Sequence, residues 1–474
     1  MAAWTAEGRA LTEPLPGAGA LELDGFLPGE RVEVELEPAP ARAPRRRRRG
    51  SAWRLRTAQL VEPSPERVEP GCPVFGLCGG CVLQHASYPA QLAWKRERVR
   101  AALARVGVPP ERVRPALGAP RSYAYRNKME FTFSPEGRPG LHRRGRWREL
   151  VPLERCPIAL PPIQEALGVV ARWAETERLP GYDKEAGRGF LRHLLLRASG
   201  ATGQLMVLLA TASPAALEGG EARWREALER LGGRLAAVEG FASLQWVEDE
   251  EPGDALHFPR PPEVIRGGAR VEERLLGLSF RLGPESFFQV NSAQAERLVE
   301  TALELAEPVA GERALDLYAG LGTFTLPLAR AVGPGGEAVG VEAVEPTAEA
   351  GRTNAAANGL GNARWVAAKV RAFLAGLSGE RPWAQVLGAA PLPEGWRPSL
   401  VLLDPPRSGA GRRVMERIAA LRPRRVVYVS CNPEALAEDL ETMLPLGWTL
   451  MAAQPLDLFP QTLHVETVAL LRPA

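Results

Sequence analysis

The sequence predicts a multidomain protein that ends in a doubly wound α/β domain, and three observations lead there. From Leu282 onward, short apolar runs alternate with amphipathic stretches, the pattern of strands and helices laid on both faces of a parallel sheet. Before about Pro70 the runs are short and alternate residue by residue, which predicts a small β-barrel. Between them lies a mixed α+β region that holds four of the five cysteines. At roughly 100–200 residues per domain, a chain of 474 residues accommodates all three. The expected boundaries are 1–70, 71–280 and 281–474.

In the first segment Leu21–Phe26 and Arg31–Leu36 read as strands, with LPGE as the turn between them. A run of arginines, Arg45–Arg49, precedes a further strand at Trp53–Val61 and suits phosphate contacts or a solvated loop. In the middle region the expected strands are Lys128–Phe133, Phe190–Ala198 and Gln204–Ala210, and the expected helices Ile163–Arg178 and Glu221–Leu231. Its segment Arg138–Arg148 is again basic and contains Trp147. In the last domain, helices are expected at Ala293–Leu305, Phe324–Ala331, Ala348–Ala357, Gly411–Leu421 and Pro433–Leu444. Strands are expected at ALDLY, Glu337–Glu342, Leu400–Leu403, Arg425–Ser430 and Thr462–Leu471.

Composition narrows the classes. No segment has the ~20 uncharged apolar residues of a membrane span. The opening MAAWTAEGRALTEP lacks the basic start and apolar run of a secretory leader, so a cytoplasmic protein is expected. The net charge of +3 excludes a polycation. An odd number of cysteines in a large chain argues against a disulfide framework.

The stretch ALDLYAGLGTFTLPLA sits between a predicted strand and a predicted helix. Gly320 and Gly322 let the backbone pass close to a ligand at the carboxyl end of the strand, and Glu342, which ends the next strand, suits hydrogen bonds to ribose hydroxyls. The turn resembles motif I of S-adenosylmethionine-dependent methyltransferases rather than the G-x-G-x-x-G of dinucleotide binders. Two more segments fall where strands end: Leu403-Asp404-Pro405-Pro406-Arg407 and Ser430-Cys431-Asn432-Pro433. Methylating C5 of a pyrimidine requires a thiolate to add at C6, a base to take the C5 proton, and hydrogen bonds to the ring edge. Cys431 supplies the thiol, and a helix starting at Pro433 would favour its thiolate. Arg407 stands where amine methyltransferases carry the stacking aromatic of (N/D)PP(Y/F), which disfavours exocyclic-amine chemistry.

Together with FFQVN (Phe287–Asn291) and HVETVALL (His464–Leu471), these segments resemble the RNA uracil-C5 methyltransferases that act on tRNA and ribosomal RNA. The resemblance implies a Rossmann-like domain that binds S-adenosyl-L-methionine. It implies Cys431 as nucleophile and Glu466 as the proton-abstracting base, with Gln289, Tyr318, Glu342 and Asp404 contacting donor or substrate. Lys369 departs from the pattern, because relatives often carry an acid or amide there near the adenine; Asn362 or a backbone group is the expected substitute. A second cysteine, common in RNA cytosine enzymes, does not occur outside the other four, so uracil is preferred to cytosine.

Cys72, Cys78 and Cys81 form C-x5-C-G-G-C, and Cys156 follows in RCPI. Four thiolates hold either zinc or a [4Fe–4S] cluster, and spacing does not choose between them. The resemblance does: GLCGGC with a later RCPI is similar to cluster-bearing members. The N-terminal segment resembles a TRAM domain, an OB-like RNA-binding module, through ERVEVEL and LVEPSPERVEP. The cluster-plus-TRAM arrangement is similar to that of large-subunit enzymes, so the expected partner is RNA, 23S rRNA before tRNA. The rival from another class is a non-catalytic RNA-binding or chaperone protein on the same scaffold.

Overall fold

In the computed structural model, described for residues 3–5, 8–15, 19–38, 53–251, 253, 255–387 and 391–474, the chain forms two large sheets and three small ones. The arginine run Arg45–Arg49 lies outside the described residues.

The N-terminal strands are β1 (Ala3–Trp4), β2 (Ala10–Leu11), β3 (Glu22–Leu23), β4 (Arg31–Pro38) and β5 (Trp53–Glu62). Among the described residues they form a three-stranded sheet β1-β2-β3 and a separate antiparallel ladder β4-β5, without the pairing that would close a barrel. The first three are two residues long, and β4 buries its valines only partly. The strand expected at Leu21–Phe26 shrinks to β3, because Asp24 and Gly25 turn the chain.

After α1 (Tyr88–Ala104) the middle region builds a seven-stranded sheet. Its members are β6 (Lys128–Phe133), β7 (Pro139–Arg143), β8 (Arg146–Pro152), β9 (Leu191–Ala198), β10 (Leu205–Thr211), β11 (Phe241–Glu248) and β12 (Glu263–Gly267), in the order β12-β11-β10-β9-β6-β7-β8. Helices α2 (Pro161–Thr176) and α3 (Gly220–Leu235) cover one face through Trp173, Trp224 and their leucines. Strands β9 and β10 are buried along their whole length; β10 reads accordingly as a nearly continuous apolar run, whereas β9 also buries Arg192, His193 and Arg197.

A hairpin, β13 (Val271–Leu275) and β14 (Leu278–Leu282), leads into α4 (Ser292–Ala306) and the last sheet. That sheet contains β15 (Arg313–Leu317), α5 (Thr325–Val332), β16 (Glu337–Glu342), α6 (Glu345–Ala357), β17 (Ala363–Ala367), α7 (Val370–Leu377), α8 (Trp383–Val386), β18 (Leu400–Leu403), α9 (Arg412–Leu421), β19 (Arg425–Ser430), α10 (Pro433–Met443), β20 (Trp448–Leu456) and β21 (Glu466–Pro473). The strand order is β17-β16-β15-β18-β19-β21-β20. The sheet is mixed and not wholly parallel: β15 to β19 run parallel, whereas β21 is antiparallel to both β19 and β20. The final strand begins at Glu466, four residues later than expected, and β20 was not anticipated at all. Its Pro455 argues against a strand, and an edge position is where a proline is tolerated.

Two cores sandwich this sheet. Val99, Ala102 and Leu103 of α1 belong to one of them, beside Leu436 and Leu440 of α10, so an N-terminal helix packs directly on the last sheet. No helix among the described residues is long and apolar enough to cross a membrane.

Candidate active site

The parallel strands β16, β15, β18 and β19 bring their carboxyl ends to one edge of the sheet. Leu317 pairs with Leu403, so Tyr318 and Asp404 leave adjacent strands side by side, and the Asp404 amide donates to the Leu317 carbonyl at 3.3 Å. The turn after β15 is left-handed at Tyr318 (φ 65°), Gly320 (φ 54°) and Gly322 (φ 99°). A Cβ on Gly322 would stand 2.8 Å from the Trp365 ring, so glycine is required there for space as well as for conformation. Glu342 accepts from the Gly320 amide (3.1 Å) and from the Val344 amide (2.9 Å), which ties the end of β16 to the glycine turn.

Beneath the turn Asp316 is buried, accepts from the Thr325 hydroxyl at 2.5 Å, and leaves its other oxygen without a partner. Burial, with Asp404 and Glu342 nearby, pushes its carboxyl up to about 8. Desolvation likewise pushes Asp404 up to about 7. Three acids at the ends of three neighbouring strands suit a ligand that carries positive charge, which S-adenosylmethionine does at its sulfonium and ammonium.

Lys369 stands at the N-cap position of α7 with its side chain exposed. The Asn362 amide is spent on the Ala329 and Gly333 carbonyls, both at 2.8 Å, where it closes the end of α5.

Gln289 is buried, and the FFQVN segment is held by Asn127: its amide donates to the Val290 carbonyl (2.8 Å) and its Nδ2 to the Gln289 carbonyl (3.0 Å). Phe288 joins the core, whereas Phe287 is 72% exposed. An apolar ring held in the open beside a cleft is a contact that the sequence pattern did not single out.

Cys431 follows β19 directly. Ser430 pairs with Thr467 across the antiparallel ladder, so the next positions outward bring Cys431 alongside Glu466 at the start of β21. Asn432 caps α10, accepting from the Glu434 amide at 3.3 Å, and also donates to the Arg407 carbonyl at 3.0 Å. Desolvation pushes the half-buried Cys431 thiol up to about 11, Glu466 and Asp404 adding to the shift and Arg407 opposing it. Glu466 is 3% exposed and pushed up to about 8 by burial, again with Arg407 opposing. Arg407 reaches His464, its Nη2 lying 2.9 and 3.0 Å from the two ring nitrogens. Burial and that guanidinium lower His464 to about 4, so the ring is neutral and serves as an acceptor. Arg407 is thereby fastened to a neighbour of Cys431 on one side and a neighbour of Glu466 on the other.

Cys72, Cys78, Cys81 and Cys156 all line one cavity of about 520 Å³, together with Arg126, Lys128, Phe287 and His464. All four are free thiols. Burial pushes Cys81 up to about 12 and Cys156 up to about 11, and each is raised further by the other cysteines. Among the described residues no three His, Cys, Asp or Glu side chains are grouped tightly enough to hold a metal ion as they stand.

The comparisons agree with this geometry. The family model described as tRNA (Uracil-5-)-methyltransferase matches residues 262–473. An uncharacterized RNA methyltransferase of Chlorobaculum tepidum is 33% identical across 96% of this chain and 91% of its own length. The chain belongs to the RNA uracil-5 methyltransferase family. An uncharacterized RNA methyltransferase of Thermosynechococcus vestitus is 35% identical over 94% of this chain and 91% of its own. The crystal structure of Pyrococcus abyssi tRNA (uracil-54, C5)-methyltransferase in complex with S-adenosyl-L-homocysteine superposes with a TM-score of 0.73 at 26% identity, covering 99% of each chain. The uracil-5 methyltransferase core is thus the mixed α/β sheet described above, and RNA is the family's substrate.

Proposed function

We propose that this protein transfers a methyl group from S-adenosylmethionine to C5 of a uridine in RNA, with Cys431 as nucleophile and Glu466 as base. The observation that carries this reading is the ladder between β19 and β21, which sets a thiol beside a buried carboxyl at the mouth of the glycine turn. The donor supplies the methyl group as an electrophile. Cys431, open to the cleft, gives its proton to water, and its sulfur bonds to C6 of the uracil while the ring electrons move onto O4. C5 then takes the methyl group as its bond to the donor sulfur breaks and S-adenosylhomocysteine leaves. The Glu466 carboxylate removes the C5 proton, the C5–C6 double bond re-forms, and the thiolate leaves. Asp404, Tyr318, Glu342 and Gln289 hold donor and ring edge, and Phe287 offers a face on which a base stacks. A uridine must leave its own stack to reach Cys431.

Cys72, Cys78, Cys81 and Cys156 would hold a [4Fe–4S] cluster in this account. Four thiols line one cavity, a soft donor set that suits iron–sulfur and, as the alternative, zinc. The methyl transfer itself needs no redox step. The N-terminal sheets would act as a TRAM-type RNA-binding module. The RNA is read as 23S rRNA; the likeness to the Pyrococcus abyssi tRNA enzyme favours tRNA as the second reading.

The test is methyl transfer by the purified full-length protein to transcripts of 23S rRNA and of tRNA, followed by nucleoside mass spectrometry. The wild type yields 5-methyluridine and Cys431→Ala yields none. Equal incorporation by both would remove the thiol from the mechanism, and 5-methylcytidine as product would overturn the choice of uracil.

A further inference from the structure

The segment between β20 and β21 delivers Glu466 and His464 to the site, yet its shape is dictated from the other end of the chain. Gln461 lies at its centre in a left-handed conformation (φ 71°) that residues other than glycine seldom adopt. Its carbonyl accepts from two successive amides, Val82 (2.9 Å) and Leu83 (3.0 Å), which directly follow Cys81. Its own amide donates to Gln91 Oε1 at 3.0 Å, and Gln91 Nε2 returns a bond to Gln461 Oε1 at 3.0 Å. Gln91 is 1% exposed, and its Nε2 also reaches the Leu83 and Ala86 carbonyls at 3.1 and 2.9 Å. One glutamine therefore clamps the cysteine loop and Gln461 together. From Gln461 the path to the site is short, because Thr462 Oγ1 accepts from the His464 amide at 3.2 Å, two residues before Glu466.

A strained residue persists only where its surroundings over-determine it. Here the surroundings are the cysteine loop and α1, not the sheet that bears Glu466. We propose that Gln461, locked by Gln91 and by the amides after Cys81, is the positioning residue that sets Glu466 for proton abstraction. The cysteine loop thereby acts on the methyl transfer mechanically, with no electron transfer. This rests on the reading of Glu466 as the base.

The addition of Cys431 and the proton removal by Glu466 separate the two roles experimentally. A variant that misplaces only Glu466 still bonds to C6 and accepts the methyl group, then stalls as a covalent protein–RNA adduct. Gln91→Met removes both bonds of the clamp, the one from the Gln461 amide included, and leaves the Val82 and Leu83 amides on the Gln461 carbonyl. Gln461→Asn keeps a residue that tolerates positive φ but shortens the side chain that Gln91 grips. Each is incubated as the full-length protein with S-adenosylmethionine and a mixture of 23S rRNA and tRNA transcripts, and adduct is scored on denaturing gels beside the rate of 5-methyluridine formation. The expected result is adduct formed as fast as by the wild type but persisting at least about 10-fold longer, as with Glu466→Gln. Adduct lifetimes equal to the wild type in both variants would overturn the proposal, as would adduct formation and turnover falling in parallel. If even Glu466→Gln gives no adduct while the wild type makes 5-methyluridine, the reading of Glu466 fails instead.

Discussion

Cys431 shares one physical property with Cys81 and Cys156 of the middle region and differs from them in everything around it. Burial pushes Cys431 and Cys156 up to about 11 and Cys81 up to about 12, so acidity alone would treat them alike. Cys431, however, stands at a strand end before a helix N-terminus, with a carboxyl across the ladder and Arg407 nearby, its carbonyl bonded to Asn432 and its guanidinium to His464. The other four meet chiefly one another around a shared cavity. The contrast teaches that a thiol's task is set by its company: a base and a cation make a nucleophile, whereas further thiols make a ligand set.

The sharpest way to break the contrast is substitution on each side of it. Cys431→Ala should lower methyl transfer on the order of 10⁴-fold or more while leaving bound iron unchanged, checked by tritium incorporation and metal analysis. Glu466→Gln should cost about 10²–10⁴-fold in turnover and let the covalent adduct accumulate, seen on denaturing gels. Cys81→Ser should do the reverse of Cys431→Ala, removing the visible absorbance of a cluster while the adduct with RNA still forms. A smaller effect is expected at the rim: Phe287→Ala should weaken RNA binding by about 1–3 kcal/mol, read as a raised KM at nearly constant kcat.

Acidity gives a further test that concerns only the catalytic side. Asp316 and Glu466, pushed up to about 8, and Asp404, pushed up to about 7, are all held in their protonated form by the fold. Their contribution to stability is full below the ordinary carboxyl range and is lost progressively from that range up to about 7 to 8, where the folded groups ionise. The melting temperature of the ligand-free protein should therefore fall over that window, and less so in Glu466→Gln. Turnover should run the opposite way, rising toward pH 8 as Glu466 becomes a carboxylate.

The sequence made the catalytic sheet legible because each strand there is a short β-branched or leucine run bounded by turn residues. Glu337–Glu342, Leu400–Leu403 and Arg425–Ser430 begin and end where that pattern does. Strand β20 was hidden by Pro455, and the sheet β1-β2-β3 by strands of two residues, too short to show a period, whereas β4 and β5 lie where the alternation placed them. Cys431 could be argued from the chemistry a pyrimidine demands. Glu466 could not, since a single carboxylate entering a strand has no periodic signal, and only the family resemblance marked it. Arg407 with His464, and Gln91 with Gln461, are contacts between segments 57 and 370 residues apart. Such pairs are created by the fold and leave no local trace.

The central claim is that this chain makes 5-methyluridine in RNA, and mass-spectrometric mapping of that nucleoside in rRNA and tRNA from cells with and without the gene tests it most directly. The account predicts loss of 5-methyluridine at a defined uridine of 23S rRNA, restored by the wild-type gene and not by Cys431→Ala. Unchanged 5-methyluridine in both RNAs, with 5-methylcytidine lost instead, would contradict it.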